Sequence, residues 1–260
     1  MTHENSITAL LDFAVDAAWQ AGKITLEYFQ TNLSIERKAD LSPVTIADRR
    51  TEEKLRELIH QRFPDHGIVG EEFGELKGDS GYRWIIDPID GTNSYIQGVG
   101  FYGVLIGLEH KSDSILGVAN FPALNEIVYA ARGQGCYWNG RRARVSKIST
   151  LAEALMLTTD IRALYQHGRG PASDKLAFAT RMQRTWGDCY GHILVATGRA
   201  EIMLDPILNL WDCAALLPIL EEAGGTFTDW DGKTTIYGAN GISTNRFLFD
   251  QVMRIVTTSD

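Results

Sequence analysis

An apolar strand runs directly into two carboxylates in the stretch Tyr82-Arg83-Trp84-Ile85-Ile86-Asp87-Pro88-Ile89-Asp90-Gly91-Thr92. The pattern predicts that the strand ends at Asp87, that Pro88 bends the backbone, and that Asp90-Gly91 forms a tight turn. Both carboxylates and the Ile89 carbonyl would then lie on one side of the turn. Oxygen ligands of this kind suit Mg²⁺ better than Zn²⁺. The stretch therefore predicts a metal site built on a turn.

The residues after this turn point to an anion beside the metal. Gly91 and Thr92 open a segment, residues 93–97, that is predicted to start a helix whose first N–H groups are free to bind an anion. A metal ion next to an anion indicates phosphate. Taken alone, however, residues 87–92 fit an ordinary polar turn equally well, so the interpretation depends on carboxylates elsewhere in the chain.

Composition sets the broad class. The chain has 260 residues, of which 44% are hydrophobic, and can bury the core of one large domain or two smaller ones. Its formal net charge of -8 argues against a nucleic-acid or membrane-surface binder. Three cysteines, Cys136, Cys189 and Cys213, suggest a reducing compartment rather than a disulfide framework. Residues 1–6 lack the pattern of a secretory signal, and no apolar run is long enough to span a membrane, so we expect a cytoplasmic protein.

Hydrophobic periodicity divides the chain into two halves. Residues 1–146 are predicted to be α+β, with helices at 7–29 and 47–62, an exposed loop at 37–45, and strands at 68–70, 82–87, 102–109, 115–121 and 126–131. Residues 147–260 alternate, with strands at 155–159, 200–204 and 226–228 and helices at 172–182, 189–197, 211–223 and about 246–256. This alternation is typical of an α/β half, and the junction between the halves is a natural place for a site.

Further carboxylates occupy suitable positions. Glu71 follows the short strand 68–70, so two neighbouring strands each end in a carboxylate, and their mutual repulsion would require a cation. Asp212 opens an apolar helix after Trp211, and Asp48 lies near the start of the second helix. Each has a simpler alternative, because Glu71 could be a solvated loop residue and the two aspartates could cap their helices. The hydroxyl of Thr92 is suited to orient a water molecule.

Together these motifs resemble the inositol monophosphatase family of Mg²⁺-dependent, lithium-sensitive phosphatases. The resemblance rests on Ser42-Pro43-Val44-Thr45 with Ala47-Asp48, Gly70-Glu71-Glu72, Trp84 through Thr92, Trp211-Asp212 and Glu222-Ala223-Gly224-Gly225. It implies a five-layered αβαβα sandwich and a homodimer.

The same resemblance implies the site residues. Glu71, Asp87 and the Ile89 carbonyl would bind one Mg²⁺, and Asp87, Asp90 and Asp212 a second. Asp48 with Glu71 would hold a weaker third ion. Gly91 and Thr92 would bind phosphate, while Asp48, Glu71 and Thr92 would orient a water that attacks phosphorus directly.

Two other segments indicate which alcohol the substrate contains. Residues 184–192, Arg-Thr-Trp-Gly-Asp-Cys-Tyr-Gly-His, and residues 196–206 resemble the histidinol-phosphatase branch of the family. Asp188 and Asp205, with the aromatic pair Trp186 and Tyr190, predict an anionic pocket that suits a cationic group. L-Histidinol phosphate carries such groups, an ammonium and an imidazole that can be protonated. Arg184 either binds substrate or lies at a dimer interface. His192 is interpreted as a satisfied helix histidine rather than a metal ligand.

Three interpretations stay open at this point. In the first, the pocket selects histidinol phosphate. In the second, Asp188 only caps its helix and the pocket accepts inositol monophosphate or other small sugar phosphates. In the third, the chain is a metal-binding regulatory protein that has lost turnover.

Overall fold

The computed structural model describes residues 6–39 and 41–258. The helices are α1 (Ile7–Tyr28), α2 (Ile46–Arg62), α3 (Thr92–Ile96), α4 (Ile161–Gln166), α5 (Gly170–Ala179), α6 (Asp188–Ala196), α7 (Leu210–Ala223) and α8 (Phe249–Thr257). The strands of the first half are β1 (Glu36–Arg37), β2 (Pro43–Val44), β3 (Gly67–Gly70), β4 (Gly74–Leu76), β5 (Tyr82–Asp90), β6 (Gly103–His110), β7 (Asp113–Phe121), β8 (Glu126–Ala131), β9 (Gly135–Trp138) and β10 (Arg141–Arg142). Those of the second half are β11 (Leu155–Thr158), β12 (Met182–Arg184), β13 (Ile202–Asp205), β14 (Thr226–Thr228) and β15 (Gly241–Thr244).

Two mixed sheets organise the molecule. The eight-stranded sheet has the order β10-β9-β8-β7-β6-β5-β3-β4, antiparallel except where β3 runs parallel to β5. The five-stranded sheet has the order β12-β11-β13-β15-β14, with β11 parallel to both of its neighbours. Parallel pairing of β3 with β5 places the ends of these strands, and hence Glu71 and Asp87, at the same edge of the larger sheet.

Helices fill three layers around the two sheets. Helices α1 and α2 cover the outer face of the larger sheet, α6 and α7 lie between the sheets, and α4, α5 and α8 cover the far face of the smaller sheet. Helix α1 buries one apolar stripe, whereas α7 is apolar nearly all round because it packs between two sheets. The predicted five-layered α/β sandwich is confirmed.

Two glycines allow α7 to approach the larger sheet closely. A Cβ atom on Gly107 would lie 2.7 Å from the Ala214 carbonyl carbon, and one on Gly117 would lie 2.0 Å from the Ala215 carbonyl oxygen. Contacts this short leave no room for a side chain, so the backbone of α7 rests directly on β6 and β7. This packing fixes the first turn of α7, which carries Asp212.

The structure corrects several sequence-based boundaries. Strand β5 does not end at Asp87 but continues to Asp90, with a shift of register between the two residues. Helix α5 ends at Ala179, and Met182 belongs to the edge strand β12. The described part of residues 37–45 contains the short β1–β2 pair, with Pro43 and Val44 buried, rather than a wholly exposed loop.

Predictions for a few residues have no counterpart in the described parts of the chain. Residues 1–5, which belong to the segment without a predicted secretory signal, lie outside the described residues, as does Asp40 of the predicted loop. Division of the chain at residues 146 and 147 stays a prediction, because the core between the sheets draws on both halves. No helix in the described residues has both the length and the apolarity needed to cross a membrane.

Candidate functional site

Three carboxylates from distant parts of the chain converge at one point. Asp87, Asp90 and Asp212 each offer an oxygen, and these oxygens all lie within 4.8 Å of one another. The first two come from the end of β5, and the third comes from the first turn of α7. We call these three residues the acidic cluster.

The β5 end is shaped by local hydrogen bonds. The Ile89 N–H donates to Asp87 Oδ1 at 3.0 Å, and the Thr92 hydroxyl donates to the Ile89 carbonyl at 3.0 Å. Gly91 has a φ of 84°, a left-handed conformation that glycine adopts without strain. Asp87 and Asp90 thus lie together at the start of this turn, and the Ile89 carbonyl accepts a hydrogen bond within it.

Backbone N–H groups at the starts of α6 and α7 hold the other two members of the acidic cluster. The Cys189 N–H donates to Asp90 Oδ2 at 2.9 Å, which ties the start of α6 to the end of β5. The Asn209 N–H donates to Asp212 Oδ2 at 2.6 Å in a capping box. Asp212 therefore caps α7 and also reaches the acidic cluster, so the two alternatives for this residue are compatible.

Burial and mutual repulsion make the acidic cluster costly without a cation. Burial, followed by the charges of neighbouring carboxylates, raises the pKa of Asp87 and of Asp90 well above the usual range. Burial likewise raises the pKa of Asp212 to about 7. Either protons or a metal ion must offset these charges. A set of oxygen donors alone suits a hard ion of the Mg²⁺ type, so these residues fit the metal that the sequence predicts.

Glu71 adjoins the acidic cluster and also contacts a lysine. Burial is the largest cause of the raised pKa of Asp87, and the charge of Glu71 is the next largest. Burial also raises the pKa of Glu71 itself. The Lys38 ammonium lies 2.7 Å from Glu71 Oε1 and 2.6 Å from Glu72 Oε1. Burial opposes the charge on Lys38, but the two carboxylates outweigh this effect and raise the pKa of the ammonium. Glu71 is therefore not a freely solvated loop residue.

Glu52, which the sequence analysis did not single out, fixes the turn that carries Glu71. Its buried carboxylate accepts hydrogen bonds from the Glu72 N–H at 2.7 Å and the Phe73 N–H at 3.1 Å. Gly70 leaves room for this carboxylate, because a Cβ atom there would lie 2.2 Å from Glu52 Oε1. A buried glutamate in a helix rich in exposed charges gives no distinctive sequence signal.

Asp48 combines a capping role with a place in the site. Its Oδ2 accepts hydrogen bonds of 2.7 Å from both the N–H and the hydroxyl of Thr45, which completes a capping box on α2. Its Oδ1 lies 3.5 Å from the Thr92 hydroxyl. Burial raises the pKa of Asp48 to about 6. The residue is thus positioned at the start of α2 and directed toward Thr92.

Asp188 lies next to the turn that follows β5. Its Oδ2 accepts a hydrogen bond from the Ser94 hydroxyl at 3.3 Å and lies 3.1 Å from the position of a Cβ atom on Gly91. Burial, and then the charge of Asp205, raises the pKa of Asp188 to about 7. The N-cap of α6 is Gly187, without a side-chain cap. The Asp188 side chain therefore does not serve as the cap of α6.

The remaining predicted residues are more dispersed. Arg184 is exposed at the end of β12, where its guanidinium donates to the Gln183 carbonyl at 2.7 Å. Tyr190 is buried in the core and stacks on Phe101 with ring centroids 5.0 Å apart. Trp186 is exposed. The predicted aromatic pair is therefore divided between the core and the surface.

The layers and the acidic cluster between them define an α/β protein suited to hold cations, and comparison with known proteins gives the family. The chain belongs to the inositol monophosphatase family, which matches residues 6–258.

Individual relatives agree with this assignment. A histidinol-phosphatase from Chlorobaculum parvum is 46% identical over 237 residues, covering 91% of this chain and 92% of that protein. A fructose-1,6-bisphosphatase/inositol-1-monophosphatase from Thermotoga maritima is 32% identical and covers 95% of each chain. The crystal structure of the extragenic suppressor protein suhB from Bartonella henselae matches with a TM-score of 0.91 at 28% identity, covering 97% of this chain and 100% of that one. These matches span nearly the whole chain in each case.

Proposed function

We propose that this protein is a Mg²⁺-dependent phosphoric monoester hydrolase that converts L-histidinol phosphate and water into L-histidinol and phosphate. The observation that carries the proposal is that a second pair of carboxylates, Asp188 and Asp205, lies beside the acidic cluster. The acidic cluster suits metal ions and phosphate, and Asp188 and Asp205 supply further negative charge next to it. A substrate with phosphate at one end and a cation at the other complements both.

Two or three Mg²⁺ ions are assigned to the site. Glu71, Asp87 and the Ile89 carbonyl would hold the first, and Asp87, Asp90 and Asp212 the second. Asp48 with Glu71 would hold a third, in competition with the Lys38 ammonium that now contacts Glu71. Mg²⁺ bound in this way supplies Lewis-acid chemistry, by lowering the pKa of water and neutralising the leaving alkoxide.

The protein's own groups orient the attacking water. The Thr92 hydroxyl lies 3.0 Å from the Ile89 carbonyl oxygen and 3.5 Å from Asp48 Oδ1, so a carboxylate that can accept a proton is within its reach. Asp48 accepts the water proton through Thr92, the water oxygen bonds to phosphorus, and the phosphorus–oxygen bond to the alcohol breaks. The alkoxide that leaves takes a proton from solvent water and becomes the alcohol. Glu71 helps to orient the attacking water. Gly91 and Thr92 hold the phosphate through their backbone N–H groups.

The alcohol end of the substrate is assigned to Asp188 and Asp205. Asp188 lies close enough for its charge to act on Asp90, and Asp205 close enough to act on Asp212. A carboxylate in such surroundings gains from a bound ammonium. Arg184 is kept as a substrate-binding candidate only from the sequence resemblance, because it lies exposed on the edge strand. The name of the Chlorobaculum parvum relative agrees with this choice of substrate.

A screen of phosphate esters tests the proposal. Purified protein with Mg²⁺ should release phosphate from L-histidinol phosphate with a kcat/KM at least about tenfold above that for inositol 1-phosphate or fructose 1,6-bisphosphate. Equal turnover of the inositol ester would favour the sugar-phosphate alternative, to which the name of the Thermotoga maritima relative belongs. Absence of turnover with every ester would favour the non-catalytic metal-binding alternative.

We also propose that the protein is a cytoplasmic homodimer with no nucleic-acid or membrane partner. The dimer follows from the family resemblance, and the remaining parts follow from the net charge of -8 and the cysteine pattern. Light scattering after size-exclusion chromatography should give twice the mass of the chain. A monomeric mass would contradict the proposed dimer.

A further inference from the structure

A buried histidine joins the predicted substrate aspartate to the opposite strand. His192 Nε2 lies 3.1 Å from Asp205 Oδ2, and His192 Nδ1 lies 2.6 Å from the Ser243 hydroxyl. All three residues are buried, and His192 and Ser243 have no exposed surface. The imidazole is therefore fixed by a hydrogen bond at each ring nitrogen.

With a neutral ring and an ionised Asp205 carboxylate, one arrangement of protons satisfies every group. If the Ser243 hydroxyl donates to Nδ1, the ring proton resides on Nε2 and is donated to Asp205. The carboxylate then receives one hydrogen bond from the ring at Oδ2, and its other oxygen, Oδ1, makes no contact with the histidine. Ser243 thus determines that the ring proton lies on the nitrogen that faces Asp205.

The backbone of Asp205 is anchored as well. Its carbonyl accepts a hydrogen bond of 2.9 Å from Trp230 Nε1, and its backbone pairs with Gly241 at the end of β13. Only the carboxylate torsions of Asp205 are left free by these contacts. His192 removes that freedom.

Asp188 lies at the same edge of the smaller sheet. The Asp188 N–H donates to Thr159 Oγ1 at 2.8 Å, and Thr159 follows Thr158, which pairs with Leu204. Asp188 is also one helical turn before His192 on α6. The two carboxylates are close enough for the charge of Asp205 to act on Asp188.

We propose that His192 is a positioning residue that fixes the Asp205 carboxylate beside Asp188. The two carboxylates then receive the ammonium group of the substrate, so this inference rests on the proposed function. His192 itself contacts neither the substrate nor the metal ions. Its removal would leave a charged carboxylate free to rotate and would weaken recognition of the amine alone.

Two amide variants separate positioning from simple structural support. In His192→Gln the amide nitrogen takes the place of Nε2 and can still donate to Asp205, whereas in His192→Asn it takes the place of Nδ1 and cannot reach it. The substrates are L-histidinol phosphate and its analogue without the amine, 3-(imidazol-4-yl)propyl phosphate. Both are assayed with Mg²⁺ on the full chain.

The wild-type protein should prefer the ester with the amine. His192→Asn should reduce this preference about tenfold through KM, as expected for one charge-assisted hydrogen bond, while His192→Gln retains most of it. Turnover of the analogue should change by less than about twofold in both variants. Equal losses for both esters, or an unchanged preference in His192→Asn, would overturn the inference.

The activity of the wild-type protein on the two esters distinguishes a failure of the proposed function from a failure of the positioning role. If the wild type hydrolyses neither ester, the proposed function fails. If it hydrolyses both esters without a preference for the amine, the recognition of the ammonium group by Asp188 and Asp205 fails, and the positioning role fails with it. If it prefers the amine and His192→Asn keeps the full preference, only the positioning role fails.

Nitrogen-15 NMR provides a second measurement that does not require a histidine variant to fold. The ring of His192 should be neutral and protonated at Nε2, and Ser243→Ala should yield a mixture of tautomers with a smaller preference for the amine. A wild-type ring protonated at Nδ1 would contradict the arrangement.

Discussion

Replacing Asp87 by asparagine should separate the charge of the acidic cluster from its shape. Asparagine has nearly the same volume, and its side-chain oxygen can still accept the hydrogen bond from the Ile89 N–H. The change therefore keeps the turn and removes one negative charge from a buried group. We expect opposite effects on stability without and with Mg²⁺.

The size of each effect follows from the geometry. At the 4.8 Å limit of the acidic cluster, two unit charges repel by about 3.5 kcal/mol at an effective dielectric constant of 20. Proton uptake already relieves part of this repulsion, so we take about 2 kcal/mol as the net gain at pH 8, or about 4–8 °C in Tm. Saturating Mg²⁺ at about 100 times Kd should stabilise the wild type by roughly 2.7 kcal/mol and the variant by close to zero.

Thermal unfolding at pH 8, first with EDTA and then with Mg²⁺, measures both effects. Asp12→Asn is the matched control, because Asp12 is exposed on α1 and its replacement should change neither melting temperature. The Asp87→Asn variant should melt above the wild type in EDTA, below it in Mg²⁺, and lack phosphatase activity. A variant that gains as much from Mg²⁺ as the wild type, or that melts lower in EDTA, would refute the reasoning.

Three further predictions concern the surroundings of the acidic cluster. Gly70→Ala would place a Cβ atom 2.2 Å from Glu52 Oε1. The substitution should lower the free energy of unfolding, measured by urea denaturation, by about 1–3 kcal/mol. An unchanged urea concentration at the unfolding midpoint would show that the turn adapts to the added methyl group. Lys38→Met removes the ammonium group that contacts Glu71 and should lower the Mg²⁺ concentration for half-maximal activity by roughly two- to tenfold. Lys38→Arg, which keeps the positive charge, should not lower it. A higher Mg²⁺ concentration for half-maximal activity in Lys38→Met would contradict competition between the ammonium and Mg²⁺ for Glu71. Burial raises the pKa of Asp212 to about 7, so the folded protein binds more protons than the unfolded chain between pH 4 and 7. The free energy of unfolding without metal should therefore fall as pH rises through this range. A free energy of unfolding that does not change with pH in EDTA would contradict this prediction.

The sequence predicted the parts of the site whose signals are local. The apolar run into Asp87, the Asp90-Gly91 turn and the apolar helix after Asp212 each carry their own pattern, and the structure places these carboxylates together. Hydrophobic periodicity also predicted α1 and α7 to within about one residue at each end.

The sequence could not predict features that depend on tertiary pairing. The predicted helix at residues 172–182 includes Met182, but pairing with Leu155 makes this residue part of β12. Strand β15, which supplies Ser243, is a four-residue stretch with weak periodicity that forms between β13 and β14. His192 was correctly interpreted as a partnered histidine, yet its link to Ser243, 51 residues away, has no sequence signal. The contact of Lys38 with Glu71 likewise joins two loops that only the fold brings together.

A crystal structure with Mn²⁺, phosphate and L-histidinol would test the central claim most directly, because Mn²⁺ scatters anomalously and prefers the same oxygen ligands as Mg²⁺. The account predicts anomalous peaks on both sides of Asp87, with the histidinol amine within hydrogen-bond distance of Asp188 or Asp205. Peaks away from Asp87, Asp90 and Asp212, or an amine directed into solvent, would contradict it.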